Sequence, residues 1–199
     1  GLGDVYKRQL YYIPAGQYGK EGVLALLEQH PEIKFVSLVG IDLAGNDTDE
    51  KIPMAAFFDD YEAFFEGRAV QTDGSSVVLT NIATLNNARV DMWGDPSVNW
   101  FVDYNYENID EATGLPTGTL RIPAFLMHNY RYVDSRSILK NSCDYVRAEL
   151  LSLIKEHGLP GMPHVKADDV VDIIFTSATE LEFWVKTPSR TVTKKELSV

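Results

Sequence analysis

Cysteine is nearly absent: Cys143 is the only one in 199 residues, so no internal disulfide can form, which favours a reducing, cytoplasmic setting. No apolar run reaches the ~20 residues that span a bilayer, and the start lacks the charged-then-apolar pattern of a secretory signal. Positive charge is scarce as well. Lys and Arg number 18 against 29 Asp and Glu, for a net charge of −11 and a pI near 4.7. That balance excludes nucleic acid as the main partner, because phosphate binding needs clustered basic side chains. There is no G-x-x-x-x-G-K-[ST] loop and no G-x-G-x-x-G after a strand, so the common glycine-loop routes to nucleotides are closed. The histidines His30, His128, His157 and His164 show no metal-ligand spacing. Cys143 has no nearby His that would give a reactive thiol.

What is present is a globular composition. An apolar content of 45% suffices for a proper core. The opening GLGDVYKRQ reads as foreign, since Asp4 to Gln9 are what a widely used sequencing-library adapter gives when translated in frame. It is set apart from the fold. The expected organisation is 1–9 adapter-derived, 10–130 a first domain and 131–199 the incomplete start of a second.

Hydrophobic spacing places a helix over "GKEGVLALLEQHPE", with Val23, Leu26 and Leu27 on one side and Pro31 closing it. "IKFVSLVGIDLAGN" is a β-rich run ended by Gly45-Asn46, and "KIPMAAFF" is its expected hairpin partner. "DDYEAFFEG" reads as a short helix capped by Asp59 or Asp60 and stopped by Gly67. Asp73-Gly74 marks a turn before a strand. In "SVNWFVDYNYENID", Trp100, Val102, Tyr104 and Tyr106 alternate with Phe101, Asp103, Asn105 and Glu107, as on a half-buried strand, and "TLRIPAFLMH" pairs back on it. A long helix follows Asp134, with Ile138, Leu139, Ser142, Tyr145, Val146, Leu150, Leu153 and Ile154 as its apolar stripe and Gly158 as its stop. "VVDIIFTSATELEFWV" reads as two short strands or one bent one. Together these give an α+β class.

Within that last run, Glu180 and Glu182 stand two places apart, so on a strand both carboxylates look the same way. Two such charges repel unless something lies between them. Either a cation fills that place, or Lys and Arg on a neighbouring strand do.

Four pieces in order resemble the amino-terminal portion of glutamine synthetase: "FVSLVGIDLAGN…KIP", the Asp73-Gly74-Ser75-Ser76 turn, the "SRSILK" helix start and the closing "ELEFWV". The resemblance runs over residues 19 to 186. It implies a β-grasp-like amino-terminal domain, followed by the opening helix and strands of a glutamine synthetase-type catalytic domain, truncated. It implies that Glu180 and Glu182 each help to hold one of two Mg²⁺ or Mn²⁺ ions, for which carboxylate oxygens are suitable donors. It also implies ATP as co-substrate, with phosphorylation of the glutamate side chain and displacement of phosphate by ammonia. In the family an Asp of a Ser-Asp-Met loop helps to bind ammonium and reaches a neighbouring subunit's site. The matching residue here is Asp91 of Val90-Asp91-Met92, or Asn87 if the gap lies elsewhere. The implied whole is a cytoplasmic homo-oligomer with active sites between subunits, and no nucleic-acid or membrane partner. The ATP- and glutamate-binding residues are expected beyond residue 199, so the chain alone is expected to be inactive.

Two departures stand out: Thr72 replaces a Phe before Asp73, and Asp134-Ser135-Arg136 stands where the family has Asp-Pro-Arg. Two other readings of the same residues are a ligase that joins glutamate to a polyamine or another amine, and a non-catalytic β-grasp binding or structural protein.

Overall fold

Alternation in "WFVDYNYENI" is realised as a strand in the computed structural model, which describes residues 9–79, 84–86, 88–180, 182 and 183. On this strand, β6 (Trp100–Ile109), Trp100, Val102 and Tyr104 are buried while Phe101 and Tyr106 are exposed. A turn at Asp110 to Gly114 returns the chain antiparallel as β7 (Pro116–His128). Strand β7 is the spine of the sheet. It pairs in parallel with β2 (Ile33–Ile41), and further along in antiparallel with β5 (Arg89–Gly94) and β8 (Arg131–Tyr132). The β2–β3 hairpin adds β3 (Asp47–Pro53), β1 (Tyr12–Ile13) joins the edge of β6, and β4 (Val70–Asp73) joins β5. The main run is therefore ordered β1-β6-β7-β2-β3.

Helices α1 (Lys20–Glu28) and α2 (Met54–Asp59) supply Val23, Leu27, Met54 and Phe57 to a core with Val36, Leu38, Leu120, Ile122 and Leu126. Phe57 is ringed by Tyr61, Phe64, Phe65 and Trp100 in tilted and edge-to-face contacts, the arrangements that aromatic quadrupoles favour. On the opposite sheet face Arg121 links strands through Asp49 at 2.7 Å and Asp103 at 3.1 Å. This is an α+β domain with a mixed sheet. The central parallel pair with helices on one face agrees with the β-grasp-like expectation.

Several local expectations change. The hairpin partner of β2 is Asp47–Pro53, and "MAAFFD" is helical, because Pro53 lacks an amide hydrogen for a further ladder bond yet suits a helix entrance. The expected helix over "DDYEAFFEG" is a single 3-10 turn, Glu62–Phe64, where Asp60 accepts from the amide of Ala63 at 3.2 Å and Gly67 sits at φ +67°. At Asp73-Gly74 a strand, β4, lies before the turn, and the strand expected after it falls partly outside the described residues.

The chain divides into two units, Gly1–Asp144 and Tyr145–Val199. Helix α3 (Ser135–His157) crosses that division and ends at Gly158, φ +74°. Its stripe is not a core face: Leu139, Tyr145, Val146, Leu150 and Leu153 are all exposed. In the second unit the Arg147 side chain donates to the carbonyl of Ile173 at 3.1 Å. The strands expected over 170–185 do not form at residues 170–180, 182 and 183. A strand exists only when a neighbour accepts its ladder bonds, and β-propensity alone supplies no such neighbour.

Candidate functional site

The motifs of the first unit act first as ties between distant segments. Asp42, at the end of β2, is buried and accepts from the amides of Ala44 at 2.8 Å, Asn46 at 2.9 Å and Val78 at 2.9 Å, and from the Asn46 side chain at 3.0 Å. Burial pushes its carboxyl up, but these hydrogen bonds outweigh that and hold it below the usual carboxylate range. Asp42 thereby fixes the hairpin turn against the segment that follows Ser75-Ser76. The turn itself is capped by Asp73, whose carboxylate accepts from the amide of Ser75 at 2.7 Å. Gly74 is required there, since a Cβ would lie 2.1 Å from the carbonyl oxygen of Leu85.

Asp134-Ser135-Arg136 is a second tie. Asp134 is wholly buried at the start of α3 and accepts from the amide of Ser137 at 2.8 Å, the Ser137 hydroxyl at 2.9 Å and the amide of Leu126 at 3.1 Å. One carboxylate thus caps the helix and closes it on β7. Arg136 reaches back to Asp95, just past β5, at 2.6 Å, and its guanidinium lies 5.0 Å from the centre of the Phe125 ring. Burial pushes the Asp95 carboxyl up, but bonds from Ser97 and from Arg136 more than offset it and hold it low.

Asp91 lies on strand β5, paired with Gln71 and Met127, rather than on a loop. Its side chain is 27% exposed and accepts from Arg89 Nε at 2.7 Å. Both residues line a cavity of about 340 Å³ together with Trp93, Met127 and the β7–β8 turn at Asn129 and Tyr130. A two-residue hairpin turn of this kind needs positive φ at both central positions. Asn129 has φ 48° and Tyr130 has φ 61°. Asn tolerates that region; for Tyr it costs about 1–2 kcal/mol. His128, which also lines the cavity, accepts no role from its spacing, yet both ring nitrogens are engaged: Nδ1 donates to the carbonyl of Arg89 at 2.9 Å, and Asn129 Nδ2 donates to Nε2 at 2.9 Å. The legible signal for this cavity was the turn "HNYRY" between β-rich runs, which the sequence reading passed over. Asn87, the alternative to Asp91, lies outside the described residues.

Glu180 and Glu182 are both exposed and neither is on a strand. Among the described residues no group of three or more His, Cys, Asp or Glu side chains is placed to hold a metal ion. Mg²⁺ wants six oxygen ligands in an octahedron and Ca²⁺-like ions want six to eight. The described residues therefore do not by themselves fit a divalent ion. No helix among the described residues is long and apolar enough to cross a membrane.

No family model matches this sequence, and no curated protein matches it. Among solved structures, the chain is similar to one described as "GmaS/ADP complex-Conformation 1", with 16% identity and a TM-score of 0.38 over 62% of this chain and 25% of that one. It is also similar to a glutamine synthetase of Plasmodium falciparum, with 14% identity and a TM-score of 0.46 over 69% of this chain and 24% of that one. The chain spans about a quarter of the length of either.

Proposed function

We propose that this chain is the amino-terminal part of a glutamine synthetase-like ligase. The reaction phosphorylates the side-chain carboxylate of glutamate with ATP, and ammonia then displaces phosphate. The observation that carries the reading is that the ordered motifs are tied to one another in space: Asp42 holds Val78 beyond the Asp73-Gly74-Ser75-Ser76 turn, and Arg136 of the helix start holds Asp95 beyond the Asp91 strand. Motif residues that lock their segments together make a frame, and a frame of this kind is what carries Asp91 to a neighbouring subunit's site in the proposed oligomer. Asp91 would hold the amine there, its carboxylate oriented by Arg89.

Glu180 and Glu182 are proposed as two ligands of a two-ion Mg²⁺ or Mn²⁺ site that residues outside the described ones complete. Acyl-phosphate activation turns a poor leaving group into a good one, and the protein's task is positioning. The proposed setting is the cytoplasm, in agreement with the lone Cys143.

The test is made on a longer polypeptide that includes this chain. Phosphate release from ATP is measured with glutamate alone, with each of several amines alone, and with both. The expected result is release in step with γ-glutamyl amide formation, with ammonia the best amine. Absence of glutamate-dependent release with every amine contradicts the reading.

A further inference from the structure

The cavity beside β5 carries polar groups on Arg89 and Asp91 that their own ion pair leaves unspent. Arg89 commits only Nε to Asp91, so both terminal guanidinium nitrogens, and the second carboxylate oxygen of Asp91, have no protein partner among the described residues. Arg89 and Asp91 are two apart on one strand and share a face. His128 is held at both nitrogens, and Trp93 packs on Gly67, where a Cβ would lie 1.8 Å from the indole nitrogen. Tyr130 is 90% exposed, at positive φ, on the rim. A strained aromatic residue kept at the mouth of a cavity is a sign of use.

These features select a ligand by charge. A simple anion on Arg89 lies beside the Asp91 carboxylate, on a chain of net charge −11. A simple cation on Asp91 lies beside the Arg89 guanidinium. A molecule with both charges side by side takes both unspent groups and leaves the Nε–Oδ1 bond in place. Trp93, Met127 and Tyr130 then offer apolar and aromatic surface beside that charged pair. At about 340 Å³ the cavity is at the small end of ligand sites.

We infer that this cavity binds a free α-amino acid with an apolar or aromatic side chain as its zwitterion, the carboxylate on Arg89 and the ammonium on Asp91. The inference shares Asp91 with the proposed ligase but does not depend on it. Binding is read on this chain, which by that reading turns over no substrate, so either can fail without the other.

The test is a calorimetric titration of the chain with L-phenylalanine, L-leucine and L-alanine, and with phenethylamine and 3-phenylpropionate, which each lack one charge. Saturable binding is expected for L-phenylalanine or L-leucine, at least ten-fold weaker for both one-charge analogues and for L-alanine. Arg89→Gln and Asp91→Asn should each weaken binding at least ten-fold while the chain keeps its cooperative thermal transition. Tyr130→Gly should raise the thermal midpoint, by relief of the positive φ, and weaken binding. No saturable binding by any of the amino acids overturns the inference. So does equal affinity for a one-charge analogue, or affinity unchanged in both charge variants.

Discussion

Asp134 is the residue on which most depends locally. It is fully buried and serves three donors at once, so Asp134→Ala leaves two buried amides without acceptors and removes a helix cap. The expected loss is about 2–4 kcal/mol in urea unfolding, with a raised exchange rate at the amides of Leu126 and Ser137. Gly74→Ala should cost at least about 2 kcal/mol, since its Cβ would meet a backbone oxygen, Leu85 O at 2.1 Å, which cannot rotate away. Asp42 and Asp95 contribute to the response to acid. Both have carboxyl groups held below their ordinary value, so the folded state binds their protons more weakly than the unfolded one. Their contribution is present above the unfolded value of about 3.9 and is lost as pH falls through the lower folded value. The urea midpoint should therefore fall as pH drops below about 5, and Asp42→Asn should flatten that fall as measured between neutral and acid pH.

At the scale of elements, β7 and α3 are opposites. Leu120 on β7 is fully buried between β2 and β6, while Leu150 on α3 is exposed. Leu120→Ala should cost about 2–5 kcal/mol and Leu150→Ala within about 0.5 kcal/mol, a contrast that a pair of urea curves reads directly. The same contrast explains what the sequence made legible. Strand β6 was readable because one of its faces is covered, which forces Trp100, Val102 and Tyr104 inward and frees Phe101 and Asp103. Helix α1 was readable for the same reason, through Val23 and Leu27. The stripe on α3 showed a periodic apolar face correctly, but periodicity says nothing about what covers it, and Leu139, Tyr145, Val146, Leu150 and Leu153 are exposed. Strand β5 was passed over because a short segment with Arg89 and Asp91 pointing out resembles a loop until its partners β4 and β7 are known. Residues 170–180, 182 and 183 have β-rich composition and no ladder partner, so the expectation that Glu180 and Glu182 share a strand face rested on a strand that those residues do not make. The Asp42, Asp95 and Asp134 ties were not visible, because each joins residues whose closeness depends on topology.

At the scale of the whole molecule, the first unit has a covered core, and the described residues of the second do not form one. Tyr145, Leu153, Val171, Ile174 and Phe175 are exposed, an apolar surface of the kind that soluble domains bury against something else. Under the proposed function the rest of the catalytic domain covers it and completes the ligand set around Glu180 and Glu182. The most direct measurement follows from that: a Mn²⁺ titration of ATP- and glutamate-dependent amide formation by the longer polypeptide, compared with Glu180→Ala and Glu182→Ala. The account predicts that each variant loses at least about 100-fold in turnover and needs more Mn²⁺ to reach half its maximum. Either variant keeping full turnover with the same Mn²⁺ midpoint would contradict it.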